Sequence, residues 1–219
     1  MIYGDSPGKN PVPSISAIMQ SANLYVYALN NPIYWIDPSG NKIDYLSGTK
    51  TQREAYERAI SYLQEKSSKA AEIINQLMKS QETYKVVFKN YNGYDPINKK
   101  IIWYHKGGAI MDDGVTVMSA AMTLAHELGH AAQQENKVYE KYNLKKMTRD
   151  QMLAVENDNL SRYEQIISGQ LKEHVREEYS VSYYGYFRTE TSTDHGTIET
   201  VPRYWWTVKV LNNKNPWKP

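Results

Sequence analysis

From about Thr116 to Gln134 the chain is rich in Ala, Met and Leu and contains no proline. Such a stretch reads as an α-helix. It carries His126-Glu127-Leu128-Gly129-His130, and this spacing constrains the chain more than any other feature. Positions i and i+4 leave a helix on one face, about 40° apart, so two imidazoles can converge on one metal ion. Zinc accepts such nitrogens, lowers the pKa of its water toward ~7 and polarises a carbonyl. Glu127 falls beside the ion, where it can take a proton from that water and pass it to a leaving amine. Ala125, Gly129, Ala131 and Ala132 are small enough to let the helix lie close to its neighbours. The bland alternative is a surface helix with an accidental His/Glu cluster.

A zinc ion needs a third protein ligand. The extended pattern that would supply a third His on the same segment fails, because Gln133 and Asn136 stand where Gly and His would be. Thr148-Arg149-Asp150-Gln151 is a capping-box pattern that opens a helix to about Ser168. Its apolar stripe runs Met152, Leu160, Tyr163, Ile167, with Leu153 alongside, and Glu156 falls in the middle. A carboxylate on a core-facing stripe is costly without a cation or strong donors. Periodicity therefore nominates Glu156 and a His–His–Glu site. The alternatives are a Glu paired with Arg or Lys, or a kink that turns it outward. Asp158 points to the opposite face and Glu164 to the stripe's edge. His195 sits in the polar loop Thr193-Asp194-His195-Gly196, where it is a candidate oxyanion donor or fall-back ligand. Tyr183 or Tyr184 is a candidate hydrogen-bond donor to the tetrahedral intermediate, with nothing to choose between them. His174 and His105 read as surface residues.

The flanking sequence predicts an α+β domain. Residues 1–40 hold five of the nine prolines, with short strands plausible at Leu24–Leu29 and Ile33–Ile36 and a turn at Asp37-Pro38-Ser39-Gly40. Thr51-Gln52-Arg53-Glu54 reads as a capping box. Ala55, Tyr56, Ala59, Ile60 and Leu63, then Ala70, Ile73, Ile74, Leu77 and Met78, recur at helical spacing as one bent helix or two short ones. Tyr84–Phe88 and Lys100–His105 read as paired strands of a small, mostly antiparallel sheet. The stretch 100–106 is its expected edge, able to hold an extended peptide. Gly107-Gly108 and Asp112-Asp113-Gly114 read as a loop, 137–149 as a solvated basic connector, and Tyr179–Phe187 and Tyr204–Leu211 as short strands.

Composition removes other classes. Without cysteine there is no disulfide scaffold, thiolate metal site or Cys nucleophile. A net charge of +2 gives no bulk field for nucleic acid or an anionic membrane. No stretch approaches the ~18 apolar residues of a membrane span, and the N-terminus lacks the pattern of a secretory signal.

Two resemblances carry more. Asn23-Leu24-Tyr25-Val26-Tyr27-Ala28-Leu29-Asn30-Asn31-Pro32-Ile33-Tyr34-Trp35-Ile36-Asp37-Pro38-Ser39-Gly40 resembles the end of an Rhs/YD-repeat core. In that family a variable C-terminal toxin module follows. The resemblance implies a remnant of the core's C-terminus at 1–40 and a toxin domain at 41–219. It also implies a bacterial protein exported as part of an Rhs toxin and active in a target cell. Its partners would be an upstream Rhs core and a cognate immunity protein. Some members are cut after a Leu that follows the final Gly; here Asn41 stands at that place. Over roughly 84–170, the Asp-Pro turn, the Ile/Trp strand, the Gly-rich loop, Leu124-Ala125-His126-Glu127-Leu128-Gly129-His130-Ala131 and Val155-Glu156-Asn157 resemble the NleD-like effector zinc metallopeptidases. That resemblance implies a zincin-like fold, Zn2+ on His126, His130 and Glu156, Glu127 as the base, and a protein or peptide substrate. The thermolysin-type Glu-x-x-x-Asp pattern is not met, because Leu160 stands where Asp would be. Two competitors differ in class. One is a degenerate, catalytically inactive Rhs cassette acting as a binding module. The other is a nucleic-acid-cleaving toxin, which would need a different constellation and a more basic face.

Overall fold

The computed structural model describes residues 42–111, 113–177, 179, 186–201 and the backbone of 207–208. The chain divides into two units, Met1–Gly40 and Asn41–Pro219, and everything below concerns the second. The Rhs-like segment and the strands and turn expected within it lie outside the described residues, as do Asn41, Tyr183 and Tyr184.

The architecture is α+β. Helices α1 (Lys50–Lys66) and α2 (Ser68–Met78) are separate, divided at Ser67, which ends the first and caps the second by accepting from the Ala70 amide at 3.0 Å. The capping box that opens α1 lies two residues earlier than expected. The Thr49 hydroxyl accepts from the Gln52 amide at 3.3 Å and the Gln52 side chain accepts from the Thr49 amide at 2.8 Å. Thr51 and Glu54 lie inside the helix. The expected inner face of Ala55, Tyr56, Ala59, Ile60 and Leu63 is buried, as are Ala70, Ile73, Ile74 and Leu77 on α2.

Two small sheets replace the single sheet expected. The first has the order β1 (Ile43–Asp44), β2 (Tyr84–Phe88), β4 (Lys100–Trp103), β3 (Gly93–Asp95). Its β1–β2 and β2–β4 junctions are parallel, and β3 runs antiparallel to β4. Lys100–Trp103 is therefore an inner strand, and the edge belongs to Gly93–Asp95. The second sheet is antiparallel throughout, in the order β8 (Gly196–Thr197), β6 (Thr116–Met118), β5 (Gly107–Ile110), β7 (Tyr186–Arg188), β9 (Thr207–Val208). The Gly107-Gly108 pair is strand, not loop. Close approach explains its composition: a Cβ on Gly107 would meet the Tyr104 ring at 2.0 Å, and one on Gly108 the Met118 carbonyl at 2.6 Å.

Helix α3 (Ala120–Glu135) is the centre of the domain. It starts at Ala120, because Thr116–Met118 is taken into the second sheet. Every residue from Ala120 to Gln133 is buried, so α3 is enclosed all round. It packs against α1, α2, β3, β4 and the long helix that follows. The buried N-cap Ser119 accepts from the Met122 amide at 3.0 Å, and the Trp103 indole donates to the Ala120 carbonyl at 2.7 Å. The following helix opens with the expected capping box of Thr148 and Gln151. It runs as α4 (Arg149–Asn159), a wide π turn (Leu160–Glu164) and α5 (Gln165–Leu171). No helix among the described residues is long and apolar enough to cross a membrane.

Candidate metal centre

One turn of α3 and the middle of α4 bring three acceptor atoms to one point. His126 Nε2 lies 3.2 Å from His130 Nε2, His130 Nε2 lies 3.1 Å from Glu156 Oε2, and His126 Nε2 lies 3.3 Å from the same oxygen. Four ligands at the 2.0–2.1 Å of zinc bonds stand about 3.3–3.4 Å apart at the corners of a tetrahedron. The triangle matches one face of that tetrahedron. His126, His130 and Glu156 are the group among the described residues whose side chains can hold a metal ion, and all three are buried. The two sequence alternatives for Glu156, an Arg or Lys partner and an outward turn, are not what the structure shows.

The hydrogen bonds behind the triangle set the tautomers. The Gln133 amide nitrogen donates to the Val155 carbonyl at 2.9 Å and to Asp158 at 2.7 Å. Its oxygen is thereby turned to His130 Nδ1, 2.8 Å away, and must accept from it. The Tyr139 hydroxyl lies 3.1 Å from the same nitrogen. Glu164, fully buried, accepts from His126 Nδ1 at 2.6 Å. With Nδ1 as the donor in each ring, the neutral form of each imidazole turns its Nε2 lone pair toward Glu156. This is the arrangement of a histidine ligand backed by an outer partner. Asn159 secures the same turn by donating to the His126 carbonyl at 2.9 Å.

Charge asks for a cation. Around the triangle three buried carboxylates, those of Glu127, Glu156 and Glu164, meet one buried guanidinium, that of Arg176. With His126 neutral, as metal ligation requires, and Glu127 ionised, two negative charges remain in a region of low dielectric, which a divalent ion would balance; without a metal, protons on His126 and Glu127 offset them. The pKa shifts express the same pressure. Burial opposes a charge on His126, but its hydrogen bonds to Glu156 and Glu164 prevail and push its pKa up to about 10. Glu156 is driven well below the usual carboxylate range, its burial outweighed by the two imidazoles. Glu164 is held down to about 2, its burial outweighed by Arg176 and His126. Glu127 goes the other way: burial lifts it to about 7 against the pull of His126 and His130.

The other nominated residues fall elsewhere. His195 is exposed, with Nδ1 3.2 Å from the Thr193 carbonyl and 3.6 Å from Glu173, the carboxylate that receives the α3 N-cap. That places it by the N-terminal end of α3, whose cap Ser119 stands seven residues before His126. Burial raises the Glu173 pKa despite its hydrogen bonds to Ser119. His174 is exposed, as expected. His105 is half-buried against Phe88 and Trp103, and burial with Lys106, Arg188 and Arg58 nearby pushes its pKa down to about 4. Sequence reasoning missed Glu164, Gln133, Asn159 and Arg176. Gln133 had a legible signal, since it stands one turn after His130 on a helix expected to lie close to its neighbours.

No family model matches this chain, and no curated protein or solved structure does.

Proposed function

We propose that this domain is a zinc-dependent metalloendopeptidase with a zincin-like fold. The observation that carries the reading is the His126–His130–Glu156 triangle, with the buried Glu127 one residue along the same helix. Two imidazoles and one carboxylate form a donor set suited to a catalytic zinc that keeps an open position. Zinc held by His126, His130 and Glu156 would lower the pKa of a water toward ~7 and polarise a carbonyl. Glu127 then serves as general base toward the attacking water and as general acid toward the leaving amine. Glu164 and Gln133 hold the two ligand rings in the required tautomers. Strand β3 is a sheet edge whose Tyr94 ring stacks on His130, with centroids 6.0 Å apart. In our reading this edge receives the main chain of an extended substrate. The Rhs-like sequence at 23–40 supports placing the domain in a bacterial toxin, with a target-cell protein as substrate and an immunity protein as its natural inhibitor.

The test has two parts. Untagged protein purified without added metal should carry close to one zinc per chain by elemental analysis. It should also cleave an unfolded protein such as casein, with cleavage stopped by a chelator and restored by zinc. Glu127→Ala should keep the zinc and lose the cleavage; full activity in that variant would sink the assignment.

A further inference from the structure

The segment that follows α5 reaches the site helix at two points without supplying a ligand. Glu173 accepts from the Ser119 amide at 2.8 Å and the Ser119 hydroxyl at 2.7 Å, and so holds the N-cap of α3. The Tyr62 hydroxyl donates to the same carboxylate at 3.2 Å. Three residues on, Arg176 lays its guanidinium along Glu164. Its Nε donates to Oε1 at 2.6 Å and its terminal nitrogen donates to Oε2, the oxygen that also accepts from His126. Gln165 pins the backbone of this turn by donating to the Arg176 carbonyl at 2.7 Å. The Tyr179 ring lies nearly parallel to His126, with centroids 6.0 Å apart and planes at 14°, and the Arg176 guanidinium sits 5.0 Å over that ring. His126, Glu164, Arg176 and Tyr179 thus close a ring in which each touches two others.

A carboxylate held at one point can rotate about its last bond. Its oxygen then leaves the plane in which an imidazole N–H is best received. A planar guanidinium gripping both oxygens removes that rotation, which an ammonium group cannot do. We propose that Arg176 is a positioning residue of the metal centre. By fixing the plane of Glu164 it fixes the His126 ring, so metal affinity depends on residues 173–177 although they hold no ligand. This inference rests on the metal-centre reading above.

The test uses the full chain and two probes, zinc for affinity and Co2+ for its visible absorption, which reports ligand geometry. Wild-type protein that binds neither ion overturns the metal-centre reading and this inference with it. Given wild-type binding, Arg176→Lys keeps the charge and loses the two-point grip. It should weaken zinc binding about 10–100-fold and alter the Co2+ band, with unchanged helical circular dichroism. Wild-type affinity and an unaltered band in that variant would overturn the role of Arg176 and leave the metal site standing. If Arg176→Lys fails to fold, zinc affinity of the double variant Glu164→Gln/Arg176→Met is compared with that of Glu164→Gln alone. No further loss supports the proposal, because Arg176 then acts only through Glu164, and a further loss overturns it.

Discussion

Glu127, the general base of the proposed reaction, occupies a place that disfavours its own charge. Burial raises its pKa to about 7, so in the fold its protonated form is the favoured one. The sign follows: the stability tied to that proton is complete below the ordinary carboxyl pKa and is lost as pH rises through about 7. At pH 8 the ionised Glu127 therefore costs the metal-free fold about 1–3 kcal/mol. Glu127→Gln removes the charge and keeps the shape. Denaturant unfolding of chelated protein at pH 8 should show the variant more stable by about that amount, while peptide cleavage by the zinc form falls at least ~100-fold. An equally stable variant would mean that the carboxyl is better solvated than its 6% exposure implies. Glu156 carries a different expectation. Glu156→Gln keeps the volume and removes the anionic ligand atom of the triangle, so zinc affinity by competition with a chromophoric chelator should fall by more than the ~10–100-fold usual for outer partners. A smaller loss would deny Glu156 its place as a ligand.

At the scale of elements, the site depends on how closely α3 approaches the helix that follows it. Gly129 stands between the two histidines of the triangle. A Cβ there would lie 2.1 Å from Asn159 Oδ1 and 3.3 Å from the Tyr163 ring. Asn159 is fully buried and holds the His126 carbonyl, so it has nowhere to retreat. Gly129→Ala should destabilise the fold by about 1–3 kcal/mol through overpacking and weaken zinc binding by displacing His126. Thermal unfolding and zinc titration of the purified variant check both effects, and a wild-type Tm would show that the helices can part at no cost. The sequence made much of this helix pair readable. An unbroken Ala-rich run gave α3, a capping box gave the start of α4, and a carboxylate on an apolar stripe gave Glu156. Glu164 was not readable by the same arithmetic. At 100° per residue it falls about 80° round the helix from Glu156, at the stripe's edge. The π turn over Leu160–Glu164 winds more slowly and brings it back toward the site. No propensity rule marks where a single wide turn will form. The parallel β2–β4 pairing was hidden for a related reason, because register and direction are set by what packs on the sheet rather than by the strands' own composition.

In the molecule as a whole, the His126–His130–Glu156 triangle links segments 26 residues apart, His130 on α3 and Glu156 on α4, so a metal held there would be coupled to fold stability. Zinc that binds only the folded chain adds about 4 kcal/mol when free zinc exceeds its Kd a thousandfold. A proton competes for the same place. Hydrogen bonds to Glu156 and Glu164 overcome burial and lift the His126 pKa to about 10. Its stabilising contribution is complete below the ordinary imidazole pKa and is lost as pH rises through about 10. Zinc needs the neutral ring, so at pH 7–8 binding must expel close to one proton from His126. Isothermal titration calorimetry in buffers of different ionisation enthalpy should return that number. Zinc affinity should rise up to about tenfold per pH unit below the His126 pKa. Chelation at pH 7 should cost less stability than chelation at pH 9–10, where the proton that stands in for the metal is leaving. Binding without proton release would mean that His126 is already neutral, and that the carboxylates on its two sides do not share one proton-holding network with it.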